Sequence, residues 1–119
     1  MSLTLNRGVL AATYDLLRET APYTEWDLPP SSQISFKVIK SKLTRGTFQV
    51  GMGRKRPIIS VSEGSVGRLG CLIETMAHEM VHLHEDTNHA GRGDVMHSKM
   101  FWKLAQKVCD AHGMDMKMF

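Results

Sequence analysis

The 119 residues are 42% hydrophobic and 23% charged, the balance of an ordinary globule, and they set the expectation of one domain over residues 1–119 with a single core. No apolar run approaches the roughly 20 residues a helix needs to cross a bilayer, and no signal-peptide core opens the chain, so no membrane association is expected. Two cysteines are too few for a disulfide framework and point to a reducing, cytoplasmic setting, while a net charge of +3 is only mildly basic.

Residues 5–20 read as a helix, with Val9, Leu10, Thr13, Leu16 and Leu17 as its apolar stripe and Arg7, Asp15, Arg18 and Glu19 as a solvated face. Pro22, Pro29 and Pro30 cannot continue a helix, which makes residues 21–32 a connector, with Trp26 at the edge of the core. Ile34, Phe36 and Val38 then alternate with Ser35 and Lys37, the period of a half-buried strand. Phe48 and Val50 alternate with Thr47 and Gln49 in a second strand, and a third covers residues 58–61 after Pro57. Short connections favour neighbouring antiparallel strands, so a three-stranded antiparallel meander is expected. Arg54, Lys55 and Arg56, flanked by Lys37, Lys40, Lys42 and Arg45, form the main basic concentration. A solvated turn is the simplest reading; a DNA contact through phosphates is the sharper one, though no zinc ribbon or recognition helix accompanies it.

Residues 62–65 supply capping side chains for a helix over residues 66–86. Leu69, Leu72, Ile73, Met76, Met80 and Leu83 recur at helical spacing and form its apolar back. The opposite face carries Cys71, Thr75, His78, His82 and Glu85. A polar loop over residues 87–96 follows, in which Arg92-Gly93-Asp94 is read as a coincidental adhesion tripeptide. A last helix spans residues 98–112, with Phe101, Leu104, Ala105 and Val108 inward and Gly113 as its stop, and the tail over residues 114–119 is expected to dock through its methionines. Cys71 and Cys109 are read as buried thiols filling space.

The chemistry concentrates in His78-Glu79-Met80-Val81-His82. Residues four apart stand one turn above each other on a helix, so His78 and His82 can aim at one point, and Glu79, about 100° round, stands beside that point. This H-E-x-x-H pattern binds zinc, with the glutamate as general base to a zinc-activated water. A catalytic zinc takes three protein ligands. His84 points to another side, and Glu85 would be a third ligand from the same helix. His97 follows the polar loop and directly precedes a helix, which anchors it; it is the chosen third ligand, with His89 as the alternative. No oxyanion donor is fixed: Tyr14 and Tyr23 are distant in sequence, and His89, Arg92 and His112 are candidates by proximity alone.

These five residues, the spacer and His97-Ser98-Lys99-Met100-Phe101-Trp102 resemble the SprT-like (Spartan-type) zinc metallopeptidases, whose pattern is H-E-x-x-H, an insert, then H-G-x-x-F/W. Leu43-Thr44-Arg45-Gly46-Thr47-Phe48 and Ile58-Ile59-Ser60-Val61-Ser62 are similar to the family's two strands, and Tyr14-Asp15-Leu16-Leu17 to its opening helix. Ser98 departs from the usual glycine. The resemblance implies an α+β, zincin-like domain that hydrolyses peptide bonds in a protein or peptide substrate, with His78, His82 and His97 on zinc and Glu79 as base. Two alternatives stand beside it. One is a non-catalytic zinc-stabilised DNA- or protein-binding module, closed by a fourth ligand such as His89 or Cys71. The other is a repressor-cleaving regulatory peptidase, with Glu85 or a later acid as third ligand.

Overall fold

Asn6 begins the first helix: its Oδ1 accepts from the Val9 amide at 2.9 Å, taking up a donor that the first turn leaves unpaired. The computed structural model describes residues 4–51, 55–64, 67–88 and 97–119. Helix α1 (Arg7–Arg18) buries Leu10, Thr13, Tyr14 and Leu17. Leu16, expected in that stripe, is instead exposed. Strands β1 (Ser35–Ile39), β2 (Gly46–Gln49) and β3 (Ile58–Ser62) follow, then α2 (Leu69–Asn88) and α3 (Lys99–His112). Among the described residues the architecture is α+β, three α-helices with a three-stranded sheet. No helix among the described residues is long and apolar enough to cross a membrane.

The sheet is mixed, which corrects the expected antiparallel meander. Its order is β1-β3-β2, with β1 parallel to β3 and only β2 antiparallel to it. The physical reason lies in β3, the most buried strand: Ile59, Ser60, Val61 and Ser62 are all buried, as for a central strand covered on both faces. The link from β1 to β2 therefore passes over the end of β3. Ser62 pins it there, donating through Oγ to the Ser41 carbonyl (2.5 Å), accepting from the Ser41 amide (2.8 Å) and giving its own amide to the Arg45 carbonyl (2.8 Å). Ser62 thus serves the sheet and not the helix that follows; residues 65 and 66, expected in that cap and first turn, lie outside the described residues.

Helix α2 lays Leu72, Met76, Met80 and Leu83 fully into the core, each contributing roughly 1.5–3 kcal/mol of burial. Leu69, at the first turn, is exposed. The connector after α1 fixes α2 from behind. Tyr23 is buried and donates its hydroxyl to the Ala77 carbonyl at 2.7 Å, and Trp26 stacks on His84 at 4.2 Å. The edge position expected for Trp26 and the sideways direction of His84 are both seen. Helix α3 is capped by Ser98, whose Oγ accepts from the Phe101 amide at 3.0 Å, and ends at Gly113 in the left-handed conformation (φ 69°). Met114 and Met116 pack on the core, as the tail was expected to do.

Candidate metal centre

Neighbouring turns of α2 bring His78 and His82 to one face, and the start of α3 brings His97 to the same point. Their ligating nitrogens all lie within 4.8 Å of one another, and His78 Nε2 is 3.0 Å from His97 Nε2. Tetrahedral coordination at about 2.0–2.1 Å requires nitrogens about 3.3 Å apart, so this cluster can close on a metal ion with small side-chain adjustments. Phe101 underlies all three imidazoles, its ring centroid 4.4 Å from that of His82, 4.6 Å from His97 and 4.9 Å from His78. Its expected inward direction is therefore also the floor of the site.

The position of His97 is set twice. It precedes Ser98, and the Ser98 hydroxyl, while capping α3, donates to Glu85 Oε2 at 2.6 Å. Glu85 thus ties the end of α2 to the start of α3. It is not in the three-histidine cluster, which holds His97 in the place that an acidic third ligand would take. His89, the alternative ligand, and Arg92 lie outside the described residues.

Glu79 is buried in the same cleft, a cavity of about 400 Å³ lined by Thr44, Arg45, Gly46, Thr47, Phe48, Thr75, the three histidines and Phe119. Strand β2 comes close to α2 here because residue 46 is glycine. A Cβ at that position would stand 2.8 Å from Thr75 Cγ2, 2.9 Å from the Ser60 carbonyl and 3.2 Å from Glu79 Oε2. Beside it, the Thr75 hydroxyl is buried without a hydrogen-bond partner.

Burial sets the protonation of the cleft. It holds His78 down to about 4, with the neighbouring His97 and Arg45 acting the same way against the hydrogen bond to Phe119. It holds His82 down to about 3, assisted by the other two imidazoles. These two rings are therefore neutral at pH 7, the form that ligates a metal. Burial also raises Glu79 to about 8, only partly opposed by the Arg45 guanidinium.

A stability profile follows for the metal-free protein. Between pH 4.5 and 6.5 the unfolded chain binds protons at His78 and His82 that the fold excludes, outweighing the one held by folded Glu79, so stability rises with pH. From pH 6.5 to about 8 the unfolded imidazoles lose their remaining protons while the fold still holds that of Glu79, so Glu79 outweighs them and stability falls. The urea midpoint of chelator-treated protein should peak near pH 6.5, and Glu79→Gln should remove the alkaline decline. A midpoint still climbing at pH 8 in the unsubstituted protein would contradict this assignment.

Several sequence candidates lie elsewhere. Tyr14 gives its hydroxyl to the Pro29 carbonyl and Tyr23 to Ala77, while His112 Nε2 lies 3.1 Å from Thr20 Oγ1; none lines the cleft. Cys109 is buried as expected; Cys71 is only partly so, with Arg45 Nη1 3.9 Å from its Sγ. Of the basic patch, Lys55, Arg56 and Lys37 are exposed, Lys40 pairs with Glu63 at 3.8 Å, and Arg54 lies outside the described residues. Arg45 leaves that patch: it lines the cleft and donates to the Met118 carbonyl at 2.8 Å. The cleft residues that sequence reasoning missed are Phe119 and the run Thr44, Arg45, Gly46, Thr47 and Phe48. Comparison of the chain with protein-family models, with curated proteins and with solved structures returns no match.

Proposed function

We propose that the chain is a zinc-dependent metallopeptidase of the SprT-like kind, with His78, His82 and His97 as ligands and Glu79 as general base. The observation that carries this reading is the convergence of three imidazoles within 4.8 Å around a cleft that also buries Glu79. Three nitrogen donors suit zinc and match the ligand number of catalytic sites, which keep one position for water. Bound zinc supplies acidification of that water and polarisation of the scissile carbonyl.

The residues of the chain do the rest. Glu79 takes a proton from the attacking water and delivers it to the leaving amine as the C–N bond breaks, so hydroxyl ends on the carbonyl carbon and hydrogen on nitrogen. A dication at the centre favours its ionised form, adding to the effect of Arg45. Among the described residues β2 is an edge strand of the sheet, and it lines the cleft, which supports binding of an extended peptide alongside it. The exposed Lys37, Lys55 and Arg56 supply charge for a DNA contact that would bring the enzyme to DNA-associated proteins. The reading is tested by incubating zinc-loaded protein with an unfolded protein substrate and following new amino termini. Cleavage should stop with chelator and return with zinc; protein that carries zinc yet cleaves no peptide would leave the non-catalytic binding module as the better account.

A further inference from the structure

Residues 114–119 return from the end of α3 into the cleft. After Gly113, a turn around Asp115 folds the chain back: the Asp115 carboxylate accepts from the Lys117 amide (2.9 Å), and its carbonyl accepts from the amides of Met118 (2.9 Å) and Phe119 (3.1 Å). The Phe119 ring is buried, 5.3 Å from that of His78 and 6.3 Å from that of Phe101. Two main-chain oxygens of this segment are then taken up by side chains of the site. Arg45 Nη2 donates to the Met118 carbonyl at 2.8 Å, and the Phe119 oxygen lies 2.7 Å from His78 Nδ1.

A main-chain oxygen can only accept, so His78 Nδ1 is the donor and Nε2 carries the lone pair. That Nε2 is the atom 3.0 Å from His97 Nε2. An imidazole without such a partner would divide its proton between both nitrogens and turn more freely. We propose that residues 114–119 are a positioning arm for the metal centre. The Phe119 main-chain oxygen fixes the tautomer and direction of the His78 ring, and the buried Phe119 ring, with Arg45 on the neighbouring Met118 carbonyl, holds that oxygen in place. The arm rests on the metal-site reading, and it adds a part of the site that comes from neither α2 nor the start of α3.

The test uses the full chain with Phe119→Ala, Phe119→Leu and Arg45→Met. In long-range proton–nitrogen spectra of metal-free protein, His78 should be the Nδ1–H tautomer in the unsubstituted chain and a mixture in Phe119→Ala. Zinc affinity, measured by competition with a chromophoric chelator, should fall on the order of 10- to 100-fold in Phe119→Ala, the usual effect of losing an outer partner of a ligand histidine. Phe119→Leu, which keeps an apolar anchor, should restore most of it. Arg45→Met removes a positive charge beside the centre, which by itself would tighten zinc; weaker binding supports the clamp and tighter binding overturns it. An unchanged tautomer and affinity in Phe119→Ala overturn the arm. If Phe119→Ala fails to fold, Arg45→Met carries the test. If the unsubstituted chain binds no zinc, the metal-site reading fails, while the tautomer measurement still decides the arm.

Discussion

On the proposed reading, Glu79→Gln should keep zinc and lose peptide hydrolysis by on the order of 10²- to 10⁴-fold, the range expected for removal of a positioned general base. The substitution isolates proton transfer because the amide matches the carboxylate in size. Size matters at this position: Glu79 is buried, and its Oε2 is 3.2 Å from where a Cβ on residue 46 would stand. A shorter aspartate would move the carboxylate away from the water, and a bulkier side chain would press on β2. Nor should the amide unfold the protein, since burial already holds Glu79 in its neutral form up to about pH 8 in the metal-free state. The check is a pair of measurements on one preparation, bound zinc and turnover. Turnover surviving at a tenth of the starting rate or better would remove Glu79 from the role of base, whereas loss of zinc would show that it acts on the site's assembly.

On the same reading, His97→Ala should abolish the stabilisation that zinc would confer. A ligand present at 100 times its dissociation constant stabilises a fold by about 2.7 kcal/mol, roughly 10 °C in melting temperature for a domain of this size. That shift should vanish in His97→Ala while the metal-free melting point stays within a degree or two, because His97 is exposed and sits outside the hydrophobic core. His82→Ala should lose the same shift and also lower the metal-free melting point, since His82 is buried over Phe101. Calorimetric scans with and without zinc measure both quantities. His89→Ala is the control and should respond to zinc as the unsubstituted chain does. If the response were lost in His89→Ala and kept in His97→Ala, the ligand set would have to be redrawn.

The helical half of the molecule could be read from the chain because its signals are local. The phase of Leu72, Met76, Met80 and Leu83 gives α2 its back, and the same phase turns His78 and His82 forward. Ser98 and Gly113 mark the two ends of α3 by the side chain and the backbone freedom that helix ends require. The sheet order was not legible from linker lengths, because β1 and β3 pair across the whole of β2. A signal was present in Ile58-Ile59-Ser60-Val61-Ser62, where small hydroxyl residues replace the charged outward residues of a half-exposed strand. Arg45 was counted with the basic cluster, since a charge in a list of charges carries no direction. Phe119 was invisible for a different reason: what it offers His78 is a backbone oxygen, which every residue possesses and no side chain announces.

The bare α-carbon at position 46 has a consequence for how much change the cleft tolerates. The direction a side chain would take there is already filled by Thr75, the Ser60 carbonyl and the Glu79 carboxylate, so alanine at 46 would part the strand from the helix instead of adding a wall to the cavity. That parting would carry Phe48, which lines the same cavity, along with the strand. The gap between the sheet and the helix bearing the histidines is thus gauged by one missing methyl.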